Sequence, residues 1–152
     1  MGAMLELCID TSVWVKLWLP EDDSPLAYAL LDRLADQPFR LVGPPILPLE
    51  VASVLRTGVR RNLLTDAQAS AAWASFRIYP IDIDADPGLP DRAYTLARRL
   101  NLPTAYDAAF LATCSGRPLV ITADRALYTA CQPWPELQVI ALHGALSALG
   151  IA

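Results

Sequence analysis

Two stretches of this chain, Leu5 to Ile9 and Leu119 to Thr122, are short and almost wholly apolar, without the polar alternation of a strand that has one wet face. Such strands are buried on both sides, so helices must cover them. Helical patterns do recur around them: Val13 to Leu19, stopped by Pro20; Leu26 to Ala35; Ile46 to Arg61, where Pro48 is tolerable only in the first turn; and a run opened by Thr65. Further on come Pro90 to Leu100, ending at Asn101, then Thr104 to Cys114 and Asp124 to Cys131. Phe39 to Val42, Ile78 to Ile83 and Gln138 to Leu142 read as additional strands. Strand and helix alternate throughout, which predicts an α/β fold with a central parallel sheet covered on both faces and ligands at the strands' carboxyl ends. With 152 residues and no repeat, linker or low-complexity segment, one domain is enough, and we expect it to span residues 4–152. The opening MGAM reads as a cloning scar over residues 1–3 ahead of a native Met4.

Four acids stand where such a fold gathers side chains. Asp10 ends the strand LELCID, Glu50 lies early in the helix of PPILPLEVASVLR, Asp107 sits in PTAYDAAFLATC, and Asp124 follows the strand of PLVITAD. Taken alone, Asp10, Asp107 and Asp124 each also read as helix-capping residues. Glu50 is harder to explain that way, being flanked by Leu47, Leu49, Val51 and Val54. Its helical neighbours Ser53, Thr57 and Arg61 continue one polar stripe, as the wall of a solvated groove would. Two unit charges about 4 Å apart repel by about 4 kcal/mol at the effective dielectric of a protein surface. A carboxylate cluster therefore protonates or binds a cation, and oxygen-only ligation points to Mg²⁺ or Mn²⁺.

The motifs IDTS, LPLEVASVLR, YDAAFLA and ITAD, in this order and at these separations, resemble those of PIN-domain nucleases, especially the VapC-type toxins of bacterial toxin–antitoxin pairs. The resemblance covers residues 5 to 142 and implies a three-layer α/β/α PIN-like domain. It also implies a metal-dependent endoribonuclease, with Asp10, Glu50, Asp107 and Asp124 as the catalytic, Mg²⁺- or Mn²⁺-binding acids. The family's supporting hydroxyl falls on Thr11 or Thr122. RNA as substrate, products with a 5′-phosphate and a 3′-hydroxyl, a homodimer, and a cognate antitoxin that places a basic side chain in the acidic pocket are implied in the same way. A PIN-like module that binds RNA or protein without cutting is the alternative.

Charge neither supports nor excludes an RNA partner. Twelve basic residues face sixteen acidic ones, a formal charge of −4, and setting the four site acids aside leaves the two signs equal. Arg56, Arg60, Arg61, Arg98, Arg99 and Arg125 are the candidate phosphate contacts, each of which also reads as an ordinary solvated helix residue. Arg125 could instead pair with a site acid and obstruct it. The single lysine, Lys16, argues against a phosphotransfer receiver or phosphatase, which would need a lysine near the phosphoryl group.

The remaining features are read as structural. IDIDADPG places Asp82, Asp84 and Asp86 in alternation, but Pro87 and Ala93 occupy the positions where a calcium loop needs Gly and Glu, so these acids read as solvent-facing. Cys8, Cys114 and Cys131 form no CxxC pair and sit among apolar neighbours as reduced thiols. His143 reads as a surface or capping residue, and Trp14 and Trp18 as either core or partner surface. No apolar run reaches the roughly 18 residues of a membrane span, and Glu6, Asp10 and Lys16 interrupt the first stretch, so a cytoplasmic protein is expected.

Overall fold

The computed structural model describes residues 4–152, so the suggested scar at residues 1–3 lies outside the described residues. Five parallel strands form one sheet in the order β3-β2-β1-β4-β5. They are β1 (Leu5–Ile9), β2 (Phe39–Gly43), β3 (Ile81–Ile83), β4 (Leu119–Thr122) and β5 (Val139–Ala141). Helices cover both faces, giving the three-layer α/β/α architecture. The apolar runs occupy the centre as expected: Leu7, Cys8, Ile9, Val42, Val120 and Ile121 are all buried.

The chain lays β2 and β3 to one side of β1, then returns to place β4 and β5 on the other. Strand order therefore reverses between β1 and β4, whose register pairs Ile9 with Ile121. In an open α/β sheet that reversal leaves a crevice beyond the strands' carboxyl ends. Asp10 and Thr122 are the next residues along each strand, so the topology alone delivers both to that crevice.

Eight helices join the strands among the described residues: α1 (Thr11–Trp14), α2 (Ser24–Ala35), α3 (Ile46–Arg60), α4 (Asp66–Ile78), α5 (Leu89–Leu100), α6 (Ala105–Ala112), α7 (Arg125–Cys131) and α8 (Ala145–Ala148). Local chemistry sets their ends. Thr65 and Gln68 exchange bonds in a complete capping box at the start of α4. Asn101 ends α5 in the left-handed conformation, with φ 53°. The expected helix over Val13 to Leu19 is instead the short α1 followed by a 3₁₀ turn, Val15–Leu17. The expected strand from Ile78 begins only at Ile81, because α4 runs through Ile78 and Pro80 then breaks it. Ile78 is 82% exposed, so its apolar side chain signalled no buried strand. The expected helix to Cys114 ends at Ala112, where Cys114, Ser115 and Gly116 take positive φ of 49°, 61° and 72° and turn the chain into β4. The C-terminal α8 has no counterpart in the sequence reading.

Trp14 belongs to the core. Its indole N–H donates to the Ile9 carbonyl at 3.0 Å, and its ring meets Phe76 and Tyr79 edge-on at 5.4 and 4.8 Å. Trp18 is half-buried against Phe76. Cys8 and Cys131 are buried, Cys114 is partly so, and all three are free thiols. No helix among the described residues is long and apolar enough to cross a membrane.

Candidate active site

Asp10 is 5% exposed at the end of the central strand. Its backbone N–H donates to the Ile121 carbonyl at 2.9 Å, carrying the β1–β4 pairing one residue past the strand. A buried carboxylate needs donors, and two hydroxyls supply them. Ser12 Oγ donates to Asp10 Oδ2 at 2.6 Å and Thr122 Oγ1 donates to the same oxygen at 2.8 Å. The hydroxyls are themselves fixed from behind, for Ser12 Oγ accepts from the Ala123 N–H and Thr122 Oγ1 from the Asp124 N–H, each at 3.0 Å. Of the two threonines considered for the supporting hydroxyl, Thr122 is the one that reaches Asp10. Thr11 Oγ1 instead donates to Glu50 Oε2 at 2.5 Å. Ser12 was missed in the sequence because a Thr-Ser pair after a strand reads simply as a helix start.

Glu50 projects from the first half of α3, whose other face buries Leu47, Val51 and Leu55. Ser53, Thr57 and Arg61 are exposed, as the groove-wall reading requires. Asp107 lies in the first turn of α6, where Thr104 Oγ1 accepts from the Tyr106 N–H without the reciprocal bond that completes the box at Thr65. The capping role that competed for Asp107 is therefore not taken up. Asp124 does cap its helix, accepting from the Ala126 and Leu127 N–H groups at 2.7 and 3.0 Å. Both bonds fall on Oδ1, which leaves Oδ2 for another partner.

The acids share one electrostatic neighbourhood. Burial pushes the Asp10 carboxyl above its ordinary pKa; the Ser12 and Thr122 hydroxyls oppose that rise, and the Asp124 charge adds to it. Burial likewise raises Glu50, opposed by the Thr11 hydroxyl and reinforced by Asp10 and Asp107. Asp107 is raised by burial and then by the charges of Asp10 and Asp124. Among the described residues no basic side chain forms an ion pair with any of the four. The donor set is thus all-oxygen, crowded with like charge and without a protein cation, which suits a hard divalent ion. The side chains do not stand as a closed cage, however: no group of three or more His, Cys, Asp and Glu among the described residues is gathered at metal-holding distance. Glu50 leans to Thr11 and Asp124 to its own helix, as uncompensated carboxylates do when donors are at hand.

The arginines divide by place. Arg125 is exposed, free of any ion pair with a site acid, and lines a pocket with Asp124. Arg56 lies 3.5 Å from Asp66, and Arg98 sits over the Tyr94 ring at 5.8 Å. Arg99 pairs with Glu136 and stacks 3.8 Å over Trp134, on the segment that precedes β5 and therefore at the far end of the sheet from Asp10. Arg60 and Arg61 stand ten and eleven residues beyond Glu50, about 15 Å along the helix axis. Lys16 is buried and held by Glu21 at 2.5 Å and Asp23 at 2.7 Å, committed to acids outside the site.

Of the alternating aspartates, Asp82 and Asp86 are exposed as expected, and Asp84 is the exception. Asp82 pairs with Arg40 at 2.7 Å, and Asp86 accepts from the Gly88 N–H at 2.8 Å and from Arg92 at 2.6 Å. Asp84 is only 9% exposed and accepts from the Cys114 N–H at 2.7 Å, pinning the left-handed turn after α6. Alternation at a sheet edge did not reveal that one of the three points inward.

A protein-family model described as PIN domain matches residues 7–132 of this sequence. No curated protein matches it. Among solved structures, the crystal structure of PAE2754 from Pyrobaculum aerophilum superposes with a TM-score of 0.68 at 20% sequence identity, covering 97% of this chain and 91% of that one.

Proposed function

The chain belongs to the PIN domain family, whose members are generally nucleases, and from that premise we propose that it is a Mg²⁺- or Mn²⁺-dependent endoribonuclease, the toxin of a toxin–antitoxin pair. One observation carries the reading. Asp10, Glu50, Asp107 and Asp124 come from four separate segments to the β1/β4 crevice, where the Asp10, Asp107 and Asp124 charges add to the raised pKa values of neighbouring site acids, and among the described residues no basic side chain pairs with any of the four.

Asp10, Glu50, Asp107 and Asp124 are the residues that would hold the ion. A divalent cation bound there supplies Lewis acidity, making water a competent nucleophile near neutral pH and offsetting charge on a phosphodiester. The protein's own part is orientation. Ser12 and Thr122 hold Oδ2 of Asp10 and leave Oδ1 without a side-chain donor, while Thr11 fixes the rotamer of Glu50. Burial of Asp10 lowers the local dielectric and strengthens each interaction made there. Arg125 is the best-placed of the candidate phosphate contacts, and the expected products carry a 5′-phosphate and a 3′-hydroxyl.

The toxin reading adds a partner. A cleft of about 510 Å³, lined by Pro44, Ile46, Leu89, Ala93, Tyr106 and Ala109, lies beside the two helices that carry Glu50 and Asp107. An antitoxin segment covering that apolar surface could deliver an arginine to the carboxylates, whose planar fork suits them. We take the protein to be one cytoplasmic domain over residues 4–152 that works as a homodimer. Purified protein incubated with RNA and Mn²⁺ should cleave it and stop in excess EDTA. Metal binding without cleavage of any RNA would instead identify a PIN-like module that does not cut.

A further inference from the structure

Beyond the four acids lies a second cavity of about 360 Å³, whose wall is continuous with the site through Thr122 and Asp124. Sheet register explains its position. β4 and β5 pair Thr122 with Ala141, and just past those strand ends Asp124 and His143 both line the cavity. One helical turn into α7, Tyr128 contributes a half-buried ring, and Arg125 an exposed guanidinium that makes no ion pair among the described residues. Asp23, held by the buried Lys16 at 2.7 Å, also lines the cavity.

The lining has the chemistry of a nucleotide. Tyr128 and His143 are flat rings on which a base can stack, an interaction available to every base. Arg125 matches a phosphate, and the Asp23 carboxylate accepts hydrogen bonds from the amino groups of a base or a ribose hydroxyl. The volume falls within the roughly 300–1,000 Å³ of small-molecule sites. A free anion is a poorer occupant, because Asp23 and Asp124 both face the space. A nucleotide seated there would lie beside Asp124, at the edge of the acid cluster.

Resting on the ribonuclease reading, we propose that this pocket seats the nucleotide adjoining the cleaved phosphodiester, with its base against Tyr128 and His143 and its phosphate on Arg125. His143 then has a role that its isolated place near the end of the sequence did not suggest.

The test measures binding of a labelled single-stranded RNA of about eight nucleotides by fluorescence anisotropy with Mn²⁺, using full-length Asp10→Asn protein to prevent cutting, together with cleavage kinetics in the unsubstituted background. Tyr128→Ala and His143→Ala should each weaken binding and lower kcat/KM by about tenfold, the scale of one lost stacked base, while Tyr128→Phe stays within about twofold. His143 is exposed, so its variant keeps the fold even if Tyr128→Ala melts early. Unchanged binding and kcat/KM in both alanine variants, in protein that does cleave RNA, would overturn the pocket assignment and leave the nuclease reading standing. Equal losses in Tyr128→Phe and Tyr128→Ala would overturn stacking. Parent protein that neither binds nor cleaves RNA would bring down both readings together.

Discussion

Thr11 and Glu50, separated by 39 residues, are joined by a 2.5 Å hydrogen bond between the hydroxyl and one carboxylate oxygen. It ties the residue after the first site acid to the helix carrying the second, so the two acids are positioned as a unit. Thr11→Val keeps the shape and removes the donor, which lets Glu50 swing and raises its carboxyl further, since that hydroxyl opposes the effect of burial. Stability is expected to fall by about 1 kcal/mol and kcat/KM by roughly tenfold, with Thr11→Ser restoring most of both. Urea titration and RNA cleavage assays read the two effects; a Thr11→Val enzyme as active as the parent would show that Glu50 needs no such anchor.

Asp10→Asn is expected to abolish cleavage without unfolding the protein. The amide oxygen still accepts from Ser12 and Thr122, while a buried charge and its repulsion with the other acids are gone. Metal-free variant should therefore melt at least as high as metal-free parent. Calorimetry in EDTA decides this, and a large drop in Tm would mean that Asp10 is held as a structural anion instead.

The raised carboxyls set the pH dependence of the metal-free protein. Asp10, Glu50 and Asp107 all hold protons more tightly folded than unfolded, so the folded state binds more protons than the unfolded one above the ordinary carboxylate range of about 4. Their contribution favours folding as pH falls into that window and is lost as pH rises through the raised values. Saturating Mn²⁺ should reverse the trend, because ligation requires the ionised forms. Denaturation between about pH 5 and about pH 8, with and without Mn²⁺, checks the sign. The difference between parent and Glu50→Gln isolates the site from the exposed Asp86 and Glu136, whose carboxyls are lowered by their hydrogen bonds and arginine partners.

Asp84→Ala should destabilise the protein by about 1–3 kcal/mol, since it leaves the Cys114 N–H without its acceptor in a left-handed turn. Cleavage by the folded fraction should be unaffected. Loss of activity in folded Asp84→Ala protein would return the alternating aspartates to consideration as chemistry.

Expression of the protein alone should arrest growth, and Asp107→Ala should abolish that arrest. Co-expression of a small neighbouring reading frame with an arginine able to reach the acids is expected to restore growth to the parent protein. Unimpaired growth in a host that lacks any antitoxin would point to a housekeeping nuclease.

The central sheet was legible because strands buried on both faces leave an unmistakable apolar signature, and β4 begins and ends where the sequence placed it. Asp10 and Asp124 come to the carboxyl end of the sheet for a related reason, since an Asp just after such a strand emerges there. Side-chain partnerships were not. Whether Thr11 or Thr122 would reach Asp10 depended on rotamers, and both hydroxyls proved occupied, with different acids. His143 and Asp124 line one cavity because β5 lies beside β4, a tertiary fact with no local trace. Asp84 differs from Asp82 and Asp86 only because a turn thirty residues later presents an N–H to it.

The hydrogen bond from Thr122 to Asp10 spans 112 positions of the chain, and that has a meaning for biosynthesis. Asp10 is synthesised 112 residues before Thr122 and 114 before Asp124. A polypeptide cut short before β4 lacks the central strand's second neighbour, the hydroxyl that holds the first acid, and the fourth acid itself. Activity under the proposed reading therefore requires that β4 and Asp124 have been synthesised. Under that reading, a nascent chain that has not reached β4 carries an incomplete set of acids.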